Sequence, residues 1–216
     1  MLREFTINEV WYLVFAARWT LALTAIAFLG GGLVGLLVMV LRVLPIKPVN
    51  WLAIVYIQAI QGTPLLGQLF LFYFGLSIFG YDVSPWVAAG AALSIYASGF
   101  LAEIWRGCVQ AVPRTQWEAS AALGLSFLEQ LRHVILPQAL RIAIPPTVGF
   151  LVQVVKNTSL ASAIGFVELT RAGQIVNGAT FQPFVVYVTV ALIYFAICFP
   201  LSLWSQHLER RLHVAR

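Results

Sequence analysis

Long runs of apolar residues alternate with short polar segments along the whole chain. A helix needs roughly 20 apolar residues to cross the hydrocarbon of a bilayer. Runs of about that length occupy residues 19–41, 57–79, 84–105, 142–165 and 182–204. The pattern predicts an all-α fold: a polytopic membrane bundle of about five transmembrane helices, with residues 1–216 forming a single transmembrane domain.

Two segments depart from a simple apolar run. Residues 7–18 mix charged side chains with large apolar ones, which favours an amphipathic helix lying on the membrane surface. Gly62, Thr63 and Pro64 interrupt the second run, and proline disfavours helix at the residue before it. We therefore expect a short interfacial helix, a bend at these three residues, and then a membrane helix.

The glycines of the first span leave two interpretations open. Gly31 and Gly35 are four residues apart, a spacing of small residues that lets another helix approach closely. Glycine is also ordinarily frequent in membrane helices, so the same strip is compatible with a helix that faces lipid.

Lysine and arginine predict the orientation, because short cytoplasmic loops carry an excess of both. One side of the predicted spans has Arg42, Lys47, Arg106, Arg114, Arg132, Arg141, Arg210, Arg211 and Arg216. The other side has Arg3, Arg18 and Arg171. The N-terminus is therefore predicted to lie outside and the C-terminus in the cytoplasm, which an odd number of spans also requires.

Composition excludes several classes of protein. With 61% hydrophobic and 10% charged residues, a water-soluble fold would expose large apolar patches, so lipid is the expected solvent. The net charge of +5 does not indicate nucleic-acid binding, because the basic residues are dispersed between apolar runs. The histidines and cysteines lack a metal-ligand spacing, so no metal site is predicted.

The longest polar interruption, residues 106–141, carries two helix-start signals. Residues 115–118 and 126–129 each fit a capping box, in which a Thr or Ser and the Glu three residues later satisfy each other's backbone amides. Gly124 lies where a left-handed glycine would end the first helix, and Pro137 is expected to interrupt or end the second. A compact helix-turn-helix outside the bilayer follows.

These residues resemble the cytoplasmic loop of a known family, the permease subunits of binding-protein-dependent ABC importers. The family pattern is E-A-A-x3-G-x9-I-x-L-P. This chain has Glu118, Ala119, Ser120, three residues, Gly124, nine residues, Val134, Ile135, Leu136 and Pro137. Serine for the third small residue and valine for isoleucine keep size and shape. Residues 61–76, 102–124, 135–146 and 156–170 extend the resemblance to the polar amino acid branch of that family, with its type I importer fold.

The resemblance implies a role and partners for the chain. Docking of the loop into a cytosolic ATP-binding subunit would couple ATP hydrolysis to transport, through Glu118, Ala119, Ser120, Gly124, Leu136 and Pro137. A second permease subunit, identical or a sister chain, would complete the pore. An extracytoplasmic solute-binding protein would deliver the substrate. The implied location is the bacterial cytoplasmic (inner) membrane.

The chain itself is not predicted to be an enzyme. It has no GxxxxGK[ST] loop to hold phosphates and no GxSxG or HExxH motif. Its single aspartate, Asp82, falls on the predicted outer side. ATP and magnesium are therefore expected on the partner ATPase, and no cofactor is expected on this chain.

Polar residues inside the fourth span mark a candidate substrate path: Gln153, Lys156, Asn157, Thr158 and Ser159. Gln153, Lys156 and Asn157 share one helix face because they are three and four residues apart. An intramembrane lysine is costly and usually faces a cavity or a counter-charge. Lys156 is either a site for a substrate carboxylate or a structural residue that pairs with an acid or reaches the interface.

Two further polar residues, Gln68 and Glu103, are weaker candidates for the path. Glu103 also has a simple structural interpretation, because Arg106 lies three residues later on the same helix face. Glu168 and Arg171 follow the fourth span and fit either a docking point for the binding protein or an ordinary solvated loop, and the solvated loop is preferred.

An ion-gradient-driven secondary carrier is the alternative function. Such carriers often contain inverted repeats and paired broken helices, whereas five spans with one docking motif have no obvious halves. The translocated amino acid itself is left open, as is the choice between a homodimer and a heterodimer of permeases.

Overall fold

A computed structural model of the chain describes residues 4–213. Within that range the chain is helical and contains no strand. The helices are α1 (Ile7–Val43), α2 (Lys47–Gln61), α3 (Leu65–Ile78), α4 (Pro85–Gln110), α5 (Arg114–Ala122), α6 (Phe127–Ile164), α7 (Leu169–Thr180) and α8 (Pro183–His213).

Four of the described helices, α1, α4, α6 and α8, are each long and apolar enough to cross a membrane. The pair α2 and α3 also passes that test, but only together, since its halves meet at 96°. The protein is therefore a polytopic membrane bundle with four spans, or five if the bent pair is one span. This agrees with the predicted fold class.

Helix α1 corrects one prediction. A separate surface helix over residues 7–18 is wrong, because Ile7–Val43 forms one helix of 37 residues without a break. At 1.5 Å per residue it is about 55 Å long, well beyond the roughly 30 Å of hydrocarbon. Its first turns pack inside the protein: Leu13 is fully buried among side chains of α7 and α8, such as Leu169 and Val186.

The predicted bend at residues 62–64 is confirmed. Pro64 has no backbone N–H, so the carbonyl of Ile60 loses its usual helical donor. The Gln68 side chain supplies a replacement, donating from Nε2 to Ile60 O at 2.9 Å and to Thr63 Oγ1 at 2.8 Å. The Thr63 hydroxyl in turn donates to Ala59 O at 2.8 Å. The break is thus stabilised by side chains that satisfy the freed carbonyls.

The glycine strip of α1 faces another helix, which resolves the two interpretations. Gly31 and Gly35 are buried against α4. A Cβ on Gly31 would lie 2.5 Å from the Cβ of Ala97, and one on Gly35 would lie 2.9 Å from the backbone oxygen of Ser98. Only glycine allows this approach, so the strip is a packing surface.

Helix α6 is longer than the predicted fourth span. It begins at Phe127 and passes through a π-helical stretch, Gln130–Ile135, before the regular α-helix Leu136–Asn157. Pro137 therefore neither ends nor interrupts the helix. It lies in the first turn after the π-helical stretch, where the missing N–H is tolerated. The polar loop consequently shrinks to α5 and its short connections.

Candidate functional site

Helix α5, called the coupling helix here after the role that the resemblance implies, connects α4 and α6 at one end of the bundle. Its N-cap is Pro113, so the capping box predicted at Thr115 is wrong. Glu118 instead pairs with Arg114, one turn earlier, at 3.0 Å. Both side chains are largely exposed, so this ion pair contributes little to stability.

The far end of α5 is closed as the sequence predicts. Gly124 has φ +79°, the left-handed conformation. The amide of Leu125 donates to Ser120 O and that of Gly124 to Ala121 O, the pair of bonds that defines a Schellman motif. The capping box at Ser126 and Glu129 is confirmed, with the Glu129 carboxylate accepting from the Ser126 amide at 2.8 Å and from its hydroxyl at 2.7 Å.

Most of the coupling helix faces away from its own chain. Ser120 is its only buried residue, and the Ser120 hydroxyl donates to Trp117 O. The Trp117 ring stacks on Phe127, with centroids 6.0 Å apart, and this contact holds α5 against the start of α6. Leu123 is 81% exposed and Leu128 is 64% exposed. Two large apolar side chains beside the Gly124 turn form a surface suited to a protein partner.

Sequence reasoning did not single out Leu123 or Leu128, although both lie within the matched motif. Of the predicted coupling residues, Glu118 and Ala119 are exposed and Ser120 is buried. Leu136 and Pro137 lie beyond the π-helical stretch Gln130–Ile135, in the first turn of the α-helical part of α6.

A polar stripe, with Gln153 and Lys156 at its centre, lies on an exposed face of α6. Pro146, Gly149, Gln153 and Lys156 are all exposed and are spaced three and four residues apart. Asn157 joins the stripe, since its Oδ1 accepts from Gln153 Nε2 at 3.2 Å. The predicted common face is therefore present. Within residues 4–213, no carboxylate forms an ion pair with Lys156.

Thr158 and Ser159 do not extend this stripe. The helix tightens to a 3₁₀ form over Thr158–Ile164. The Thr158 hydroxyl donates to Val155 O at 2.7 Å, and Thr158 is fully buried. The Ser159 hydroxyl donates to Lys156 O, also at 2.7 Å. Both hydroxyls therefore donate hydrogen bonds to backbone carbonyls of their own helix.

The two weaker candidates have structural partners. Gln68 is buried at the bend between α2 and α3, as described above. Glu103 accepts from Arg106 Nε at 2.9 Å and makes a second contact with the same guanidinium through Nη2. Glu103 therefore forms the predicted ion pair with Arg106, which agrees with its structural interpretation.

The preferred interpretation of Glu168 as part of a solvated loop is wrong. Glu168 is fully buried and caps α7, accepting from the amides of Thr170 and Arg171 at 2.9 Å each. The Tyr194 hydroxyl of α8 donates to it at 2.7 Å, and Thr20 of α1 lies at 3.5 Å. Burial raises the pKa of Glu168 despite these bonds. One carboxylate thus ties three helices together at the end opposite α5.

The fold and these surfaces define a polytopic membrane protein with one exposed short helix and a polar stripe inside a spanning helix. Residues 31–214 match the family described as binding-protein-dependent transport system inner membrane component. The chain is 38% identical to the L-cystine transport system permease protein TcyB of Bacillus subtilis, over 90% of this chain and 83% of that protein. It is 35% identical to the glutamine transport system permease protein GlnP of Escherichia coli, over 98% and 99% of the two chains.

Solved structures agree with this match. A crystal structure of an amino acid ABC transporter with histidines superposes with a TM-score of 0.91 at 36% identity, covering 95% of this chain and 96% of that one. The MetNI methionine ABC transporter, at 22% identity, shares the fold with a TM-score of 0.81 over 96% and 99% of the two chains.

The chain therefore belongs to the family of binding-protein-dependent transport system inner membrane components. It is a permease subunit of an ABC importer and a multi-pass protein of the bacterial cytoplasmic membrane. The alternative of an ion-gradient-driven carrier is not supported.

Proposed function

We propose that this permease carries a polar amino acid, or a closely related compound, released to it by an extracytoplasmic binding protein. Its relatives are named for cystine and glutamine transport, and the superposed crystal structure is of an amino acid ABC transporter. The observation that carries the proposal on this chain is the polar stripe of α6. It holds the amides Gln153 and Asn157 and the cation Lys156, which forms no ion pair within residues 4–213. An amino acid zwitterion presents a carboxylate that suits Lys156.

Hydrolysis of ATP, with its magnesium, belongs to a separate cytosolic subunit, and this chain binds no cofactor. The coupling helix is the contact with that subunit. It is rigid, since the Schellman motif closes its end, and exposed, since seven of its nine residues are exposed. A rigid contact of this kind can bias two arrangements of the helices. The N-terminus lies outside and the coupling helix lies in the cytoplasm.

The stripe requires a facing surface, because a lysine left against hydrocarbon costs about 3 kcal/mol. A second permease subunit, identical or a sister chain, supplies that surface and encloses the route around a two-fold or pseudo-two-fold axis.

The coupling contact is tested by ATP hydrolysis in the reconstituted transporter. Glu118→Ala and Gly124→Pro are compared with the unchanged chain, with and without substrate-loaded binding protein. Loss of stimulated hydrolysis and of uptake is expected, while the permease still inserts and folds. Uptake that follows an ion gradient and needs no ATPase would contradict the proposal.

The substrate contact is tested separately with Lys156→Ala and the conservative Lys156→Arg. We expect the alanine variant to lose at least about tenfold in transport affinity, since a charge-assisted hydrogen bond contributes roughly 1.5–3 kcal/mol. The Lys156→Arg variant should retain part of the transport affinity, because it keeps the positive charge. Ser159→Ala, three residues further along the chain, is the matched control and should leave transport unchanged. Equal transport by all three variants would remove Lys156 from the path.

A further inference from the structure

A polar cavity lies beside the coupling helix at the inner end of the bundle. It has a volume of about 520 Å³ and is walled by the end of α1, the end of α4 and the coupling helix. Its lining contains two arginines, Arg42 and Arg114, the amides Asn50 and Gln110, and no acid. Because Arg114 also pairs with Glu118 at 3.0 Å, the positive charge of the cavity comes mainly from Arg42.

Arg42 is held in place while much of its guanidinium stays available. It donates from Nη1 to Asn50 Oδ1 at 2.9 Å, and Asn50 Nδ2 donates back to Arg42 O. Among residues 4–213, Asn50 is the only side chain to which Arg42 donates a hydrogen bond. A guanidinium has five N–H donors in a fixed fork that matches phosphate oxygens, so donors remain for an anion.

An apolar groove of about 410 Å³ continues from this cavity toward the middle of the bundle. The continuity follows from helical spacing. On α1, Leu36 and Met39 line the groove and Val43, one turn on, lines the cavity. On α4, Val109 lines both. The two spaces therefore share the same pair of helices over successive turns.

The third wall of the groove comes from α6, through Leu136, Ala139, Leu140 and Ala143. Leu140 is 64% exposed, so the groove is open on one side. The one polar group of its lining side chains, the indole N–H of Trp105, is already bonded to Thr147 Oγ1 at 2.9 Å. The groove thus offers no hydrogen bond and suits a hydrocarbon chain.

We propose that the cavity and groove together bind one anionic phospholipid, with its phosphate between Arg42 and Arg114 and an acyl chain in the groove between α1, α4 and α6. The charge of the cavity selects an anion, and basic pockets between membrane helices on the cytoplasmic side commonly bind anionic headgroups. A soluble phosphate would leave the groove empty, whereas a lipid fills both spaces. The headgroup rests against Trp117 of the coupling helix.

Native mass spectrometry of the assembled transporter tests this site by counting retained lipid. Phosphatidylglycerol is titrated against phosphatidylethanolamine in detergent. The double variant Arg42→Gln with Arg114→Gln should bind phosphatidylglycerol between about fivefold and 25-fold more weakly, at up to roughly fivefold per arginine. The double variant Arg132→Gln with Arg210→Gln removes two exposed arginines outside the cavity and should bind as the unchanged chain does.

Two further variants test the headgroup cavity and the acyl-chain groove one at a time, and they distinguish loss of lipid binding from a folding defect. Arg42→Lys keeps the charge and should retain phosphatidylglycerol if Arg42 acts through it. Ala143→Leu fills the groove without changing charge and should weaken retention of the lipid. Equal retention of the two lipids by the unchanged chain, or equal loss in both double variants, would overturn the proposal.

Two other outcomes would show that something other than a phospholipid occupies the cavity or the groove. Displacement of the lipid by an equal concentration of glycerol phosphate would make the cavity a site for soluble phosphate. It would overturn the proposal that the groove binds an acyl chain. A disulfide formed between two copies of the chain carrying Leu140→Cys would show that a protein surface covers the groove, and it would overturn the proposed acyl-chain site as well. Neither outcome bears on the proposed transport function.

Discussion

The two short helices at opposite ends of the bundle, α5 and α7, are built in opposite ways. Both connect membrane helices, and each has one glutamate, in the middle of α5 and at the N-cap of α7. In α5 that residue, Glu118, is exposed and pairs only with Arg114 of the same helix. In α7 the glutamate, Glu168, is fully buried and accepts bonds from its own helix and from α8.

The difference shows what each end contributes. A carboxylate whose partners lie within one exposed turn adds little to the fold, so the helix that carries it is free to fit a partner. A buried carboxylate that satisfies amides and hydroxyls from several helices holds those helices in one arrangement. The end that carries α5 is therefore exposed and available to a partner, and the opposite end is a structural anchor.

The largest expected effect is on the anchor. Glu168→Ala removes the cap of α7 and leaves the Tyr194 hydroxyl without its acceptor, so it should lower the free energy of unfolding by about 2–3 kcal/mol. Glu118→Ala is the matched control and should change it by less than about 0.5 kcal/mol. Thermal melts of the two purified variants in the same detergent measure the contrast. Equal melting temperatures would remove the distinction between the two ends.

A second, smaller effect is expected where α7 packs on α8. A Cβ on Gly173 would lie 2.8 Å from Val190 Cγ2, whereas one on Gly178 meets nothing within 4 Å. Gly173→Val should therefore destabilise the protein by about 1–3 kcal/mol through overpacking. Gly178→Val, on the same helix, should not destabilise it. Similar melting of both variants would show that α7 is not held against α8.

The smallest expected effect is on pH dependence. Because burial raises the pKa of Glu168 in the folded state above its unfolded value, the contribution of this group to stability is complete below about pH 4 and is lost as pH rises through the folded pKa. Glu168→Gln cannot titrate. The melting temperature of the unchanged chain should therefore fall relative to that variant from about pH 4 upward. Parallel curves for the two proteins would contradict this.

Much of the fold follows from the sequence, because apolar length and helix breakers act locally. The bend at Pro64, the left-handed Gly124 and the capping box at Ser126 are set by single residues and their immediate neighbours, and all three are present. The single long helix α1 could not be predicted, since the apolar residues Leu13, Ala16 and Ala17 of its first half are covered by α7 and α8, far along the chain. Tertiary burial there overrides the local amphipathic pattern.

The candidate site divides in the same way. The common face of Gln153, Lys156 and Asn157 follows from helical spacing and is present. The role of Glu168 could not be predicted, because Tyr194 approaches it from a helix 26 positions away. A glutamate directly before a helix start was the one local signal, since acidic residues cap helices, and it would have indicated a cap.

The replacement of a proline's missing N–H by the amide of Gln68 links two positions in evolution. An ordinary residue at position 64 would restore a backbone donor to the Ile60 carbonyl and leave the buried Gln68 amide competing for it. Loss of Gln68 beside Pro64 would leave that carbonyl without this donor. Changes at the two positions should therefore be tolerated mainly together, and descendants of this chain should keep or lose the pair as one unit.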